Sequence, residues 1–119
     1  MQTSARLTRQ SEFDAVRHKG RWWTNSLLTL QAMANGLQGN RYGYMVSKKV
    51  GKAVVRNRTK RRLKEIVRHE ALAQGWDVVL IAKPKAAGAT FAEMRRSVED
   101  LLKRGRLVAV NSGRVAQDT

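Results

Sequence analysis

Apolar positions recur along the chain about every 3.6 residues in some stretches and every second residue in others, and the two spacings alternate. Phe13 and Val16, followed by Gly20, predict a short first helix that Thr8 or Ser11 would cap. Arg21 to Ala34 is rich in Trp, Leu and Thr and predicts extended chain, two strands broken near Asn25. Two Gly and two Asn between Asn35 and Asn40 predict a turn. The chain then returns as a strand over 41–47, with Tyr42, Tyr44 and Val46 alternating to one face. Gly51 interrupts, and a long helical pattern follows from about Val54 to Ala73. The run DVVLIA, Asp77 to Ala82, is of the kind buried in a sheet core, and Pro84 stops it. A last helix is predicted from about Thr90 to Lys103, with Phe91, Met94, Val98, Leu101 and Leu102 on its apolar stripe. Thr90 and Glu93 stand as a capping box at its start. Helices and strands mixed in this order predict an α+β sandwich.

Length and composition narrow the class. With 119 residues and no repeat or Pro- or Ser-rich linker, the chain suits one domain spanning 1–119, with a flexible tail expected from about residue 108. The absence of cysteine excludes disulfides and thiolate metal sites and fits a reducing, cytoplasmic setting. No apolar run approaches the roughly 20 residues of a spanning helix, so no membrane partner is expected. No protein partner is evident either.

Charge changes the picture most. Twenty-four Lys and Arg against nine Asp and Glu give +15, an excess that seeks a polyanion, with nucleic acid first. No acid occurs between Asp14 and Glu65. That stretch carries Arg17, Lys19, Arg21, Arg41, Lys48, Lys49, Lys52, Arg56, Arg58, Lys60, Arg61, Arg62 and Lys64. One half of the chain is therefore the electrostatic footprint.

On a helical wheel Val55, Thr59, Leu63, Ile66 and Val67 fall within roughly 120° of one another, a stripe able to dock on a sheet. The cations spread around the rest. A merely solvated face would mix Glu with Lys one turn apart, gaining a few tenths of a kcal/mol per pair, whereas like charges cost about as much. Here Glu65 is the only acid, and cations at the helix start oppose the macrodipole. An anionic partner offsets these costs. The candidate nucleic-acid-binding residues are Lys48, Lys49, Lys52, Arg56, Asn57, Arg58, Lys60, Arg61, Arg62, Lys64 and Arg68. Arginine forks and lysine point charges suit phosphates, and Asn57 adds a directional hydrogen bond.

The run Ser47 to Arg68, SKKVGKAVVRNRTKRRLKEIVR, resembles the signature of the bacterial ribonuclease P protein component, centred on Arg56, Asn57, Arg58, Lys60 and Arg61. Arg6, Leu7, Phe13, Val16 and Gly20 follow that family's opening helix, and DVVLIAKP with the Phe91 helix follows its second half. All but about the last dozen residues are covered. The resemblance implies a two-layer αβββαβα sandwich, like the second domain of ribosomal protein S5, with a left-handed βαβ crossover. It also implies removal of the 5′ leader of precursor tRNA by a catalytic RNA subunit, with Mg²⁺ bound by RNA and the protein contacting both RNAs. The family places an aromatic at Phe13 in a central cleft, toward the leader; packing in the core is its other reading. Arg17 stands where many relatives carry a second aromatic on the first helix. Trp22 and Trp23 either stack on single-stranded bases, or divide between core and edge packing. Phe13, Arg17, Trp22 and Trp23 are thus the candidate leader contacts. A ribosomal assembly protein and a sequence-tolerant DNA-binding module are the competing classes, and the long motif separates them from the first.

Catalytic ingredients in the chain are poor. His18 and His69 lie on different predicted helices, Asp14 and His18 are spaced as a surface pair, and Glu99 and Asp100 point in different directions. Asp77 opens a strand, where it helps a turn. No carboxylate cluster suits a two-metal hydrolysis, so the protein alone is expected to be inert, with no cofactor of its own.

Overall fold

The computed structural model describes residues 4–7 and 9–109. Strand β1 (Ser4–Arg6) leads to helix α1 (Gln10–Lys19), then strands β2 (Arg21–Thr24), β3 (Leu28–Ala34) and β4 (Asn40–Val46). Helix α2 (Ala53–Arg68), strand β5 (Trp76–Ala82), a short 3₁₀ turn (Pro84–Gly88) and helix α3 (Phe91–Arg104) follow. The α+β order expected from the sequence is present, preceded by β1, which three residues were too few to announce.

The strands form one sheet in the order β1-β4-β5-β3-β2. The run 77–82 lies at its centre, parallel to β4 and antiparallel to β3, with Leu80 opposite both Tyr44 and Leu30. A strand flanked on both edges and covered on both faces has no solvent side to mark with polar residues, which is why this run is almost continuously apolar. α2 is the crossover joining β4 to its parallel neighbour β5.

One face of the sheet meets α2 and α3 in the main core. Leu28, Leu30, Val78 and Leu80 pack there with Leu63 and Ile66 of α2 and Met94, Val98 and Leu101 of α3. The opposite face carries a second, smaller core of Leu7, Val16 and Val79, against which Phe13, Met33, Met45 and Ile81 pack. The sheet and its α2–α3 layer thus make the sandwich, and α1 covers part of the other side.

Several boundaries differ from the sequence reading for identifiable reasons. Arg9, not Ser11, precedes α1, its N–H donating to Glu12 Oε1 at 3.1 Å, while Thr8 lies outside the described residues. α2 stops at Arg68, five residues before Ala73, because the chain there pairs with the segment after α3. Leu72 bridges Val108, and Ala73 N–H donates to Leu107 O at 2.7 Å. Ala109 N–H likewise donates to Ala71 O, so the chain is tied down through 109; the rest of the expected tail lies outside the described residues. At α3 the Thr90–Glu93 capping box forms as expected, with bonds of 3.1 and 2.8 Å. Phe91, however, is 38% exposed: as the first residue of α3 it precedes the turn that meets the sheet. Among the described residues no helix is long and apolar enough to cross a membrane.

Candidate nucleic-acid interface

The stripe on α2 docks as its spacing requires: Thr59, Leu63, Ile66 and Val67 are buried and Val55 is half-buried. The segment before it turns tightly, with Val50 N–H bonded to Ser47 O and Val50 itself buried. Gly51 fits against the helix, where a Cβ would come within 3.0 Å of Val55 Cβ and Cγ1. The cations are therefore carried on a fixed element.

They are not equivalent. Arg68 Nη2 contacts both Glu65 oxygens, at 2.8 and 3.0 Å, and His69 Nε2 lies 2.8 Å from Oε2. These contacts hold the Glu65 carboxyl below its ordinary value, Arg68 being the larger influence. Arg56 Nε donates to Gly51 O at 3.1 Å and Arg62 Nη1 to Ala89 O at 3.2 Å. Among the described residues, Lys48, Lys49, Lys52, Asn57, Arg58, Lys60, Arg61 and Lys64 have no side-chain partner within the protein. These eight form the available array.

Lys60 and Lys64, one turn apart, line a cavity of about 340 Å³ with Arg6, Leu7, Phe13, Tyr42 and Tyr44. β1 pairs with β4 only as far as Arg6 and Tyr42, so the cavity opens where β4 loses that edge partner. Burial pushes both phenols up, that of Tyr44 strongly, so each stays protonated at neutral pH. Phe13 is half-buried beside Gly43, where a Cβ would stand 2.5 Å from Phe13 Cε1 and 2.8 Å from Cζ. The absent side chain at Gly43 is the seat for this ring.

The two tryptophans part company. Trp23 pairs with Leu30, faces the main core and packs within 3.2 Å of where a Gly105 Cβ would lie. Of the two readings open for Trp23, this placement favours core packing: alternation in β2 turns it inward. Trp22 faces the same side as α1 and is 63% exposed. Arg17 is exposed on α1.

Sequence reasoning missed one cluster. Asp77 is buried and receives a fork from Arg41, Nε to Oδ1 at 2.9 Å and Nη2 to Oδ2 at 2.7 Å. Asn35 Nδ2 also donates to Asp77 Oδ1, and Arg41 Nη1 reaches Glu12 Oε2 on α1, at 2.9 Å each. The bond to Asp77 raises the Arg41 pKa further. Arg41 is thus neutralised internally and leaves the electrostatic footprint, and Asp77 is an ion-pair partner in the sheet. The partners lie 36 residues apart, so no local spacing signals the pair.

The His, Asp and Glu residues considered for catalysis have local partners instead. His18 Nδ1 donates to the Asp14 backbone oxygen, whereas the Asp14 carboxylate accepts from Gln10. Asp100 accepts from Asn25 and Arg104. Among the described residues no group of three or more His, Asp or Glu could hold a metal ion.

Known proteins carry the same pattern. Residues 1–106 match the family model described as Ribonuclease P. The chain is 45% identical over 109 residues to a ribonuclease P protein component of Dehalococcoides mccartyi, covering 92% of this chain and 91% of that one. Identity to the protein of the same name from Caldanaerobacter subterraneus is 46% over 101 residues, 83% and 87% of the two chains. The structure of the RNase P protein of Staphylococcus aureus superposes with a TM-score of 0.80 at 28% identity, covering 87% and 97%. That of Thermotoga maritima gives 0.77 at 30%, covering 83% and 96%.

Proposed function

The chain belongs to the ribonuclease P protein family, and from that premise we propose that α2 binds the catalytic RNA while the α1 face meets the precursor-tRNA leader. It is the protein subunit of the endoribonuclease that matures tRNA 5′ ends. The observation that carries the α2 assignment is the array of eight side chains without protein partners on an anchored helix and the turn before it. Each phosphate such cations neutralise releases counterions, so affinity falls steeply with salt.

The leader reading is supported by Phe13, Arg17 and Trp22 on one side of the sheet, with Lys60 and Lys64 beside Phe13. An extended single strand there finds aromatic surface for its bases and cations for its phosphates. Strand cleavage and its Mg²⁺ belong, on this proposal, to the RNA subunit. The protein's part is to lower the repulsion between two polyanions and to hold the leader. We place this assembly in the cytoplasm.

Mixing the purified protein with a bacterial ribonuclease P RNA and precursor tRNA at low Mg²⁺ tests the reading. Leader cleavage is expected to rise over RNA alone, and protein alone to leave the substrate intact. No enhancement, or DNA binding as tight as RNA binding at matched salt, overturns it.

A further inference from the structure

We propose that Arg41 and Glu12 are positioning residues for Phe13 and, through its ring, for the precursor-tRNA leader. The inference rests on Phe13 as a leader contact. Strand β4 supplies both halves of the device, since Arg41 and Gly43 lie two residues apart and face the same side of the sheet. Gly43 is the seat, its missing Cβ occupied by the Phe13 ring. Arg41 is the tether, reaching with Nη1 to Glu12 Oε2, on the residue immediately before Phe13.

The tether is stiff at both ends. Two of the guanidinium nitrogens are spent on the buried Asp77 carboxylate, which fixes the plane of the fork and aims the third outward. Glu12 uses its two oxygens separately: Oε1 closes the first turn of α1 by accepting from Arg9 N–H, and Oε2 meets Arg41. The start of α1 is thereby pinned to the centre of the sheet. Beyond that contact α1 is held by a small core, in which Val16 is fully buried and Phe13 half-buried. Without the tether the helix remains folded and the ring keeps its seat on Gly43, but the first turn loses its bond to the sheet and the ring a restraint on its position.

The test is the preference of reconstituted holoenzyme for precursor over mature tRNA, measured as a ratio of dissociation constants with cleavage blocked. Affinity for the RNA subunit is followed in parallel. Phe13→Ala is expected to lower the ratio about fivefold or more, the low end of what a base stacked on an aromatic ring is worth. Glu12→Ala is expected to lower it about threefold or more in the native chain and not at all in the Phe13→Ala background, because it acts through the ring. Arg41→Lys, which keeps a cation beside Asp77 but cannot also reach Glu12, is expected to behave like Glu12→Ala. RNA-subunit affinity stays unchanged in all of them. If Phe13→Ala leaves the ratio unchanged, the leader reading fails and the inference with it. If Phe13→Ala lowers the ratio but Glu12→Ala and Arg41→Lys do not, or their effects add to it, the inference alone fails.

Discussion

Arg41 and Asp77 form an ion pair whose two ends sit in different media: the Asp77 side chain is 1% exposed and that of Arg41 is 28%. Removing either partner deletes the same pair, yet the consequences differ. Arg41→Ala leaves a carboxylate in the sheet with Asn35 Nδ2 as its remaining side-chain donor, and breaking a buried pair in this way costs about 3–5 kcal/mol. Asp77→Ala leaves a guanidinium that still reaches Glu12 and water, so the loss is nearer that of hydrogen bonds to a charged group, about 1–3 kcal/mol. Urea unfolding followed by circular dichroism reads the difference. With a slope of about 1–3 kcal/mol per M, the midpoint of Arg41→Ala is expected to fall about 1 M below that of Asp77→Ala. Equal midpoints, or a worse Asp77→Ala, would refute the claim that burial of the carboxylate sets the cost. Losses under about 1 kcal/mol in both would make this an ordinary surface pair.

Three further outcomes follow from the geometry. Gly43→Ala drives a methyl into the Phe13 ring and is expected to cost about 1–3 kcal/mol of unfolding free energy, part of which Phe13→Leu restores; additive losses would show that the two do not compete for one space. Because Glu65 already holds Arg68, Arg61→Ala is expected to weaken RNA binding more than Arg68→Ala, and Glu65→Gln to strengthen it; filter-binding titrations that rank Arg68 above Arg61 contradict this. Burial, and then repulsion from Glu99, raise the Glu70 carboxyl above its ordinary 4.5, so the stability it contributes is complete below that value and lost as pH rises through the raised one. Glu70→Gln is accordingly expected to raise the thermal midpoint at about pH 7 and to lose that advantage by about pH 4; a constant advantage would point to another cause.

What was legible in the sequence was local. The α2 stripe, the capping box at Thr90, the break at Asn25 and the apolar run of β5 each follow from spacings within about two turns or one strand, and each is found. Asn25 does more than break a strand: its Oδ1 accepts from Leu27 and Leu28 N–H and from Ser97 on α3. What was hidden depends on distant partners. The helical pattern of α2 reads on to about Ala73, but the helix ends at Arg68 and Leu72 instead bridges Val108, 36 positions on. Arg41 looked like one more cation because its neutralising acids come from α1 and β5. Within the candidate site, residue types and their anchoring were readable, whereas the division between available and internally bound cations needed the folded contacts.

On the proposed reading the α2 cations bind RNA from a rigid helix. Its most direct test is the salt dependence of affinity for the RNA subunit, compared between the native chain and the double variant Arg58→Ala/Arg61→Ala. Neither side chain has a protein partner among the described residues, so the fold and its circular dichroism are expected to stay unchanged. The slope of log K against log salt is expected to flatten by about 1.4–1.8, the release from two phosphates. An unchanged slope in a folded variant, or unfolding of the variant itself, would contradict RNA binding by these side chains.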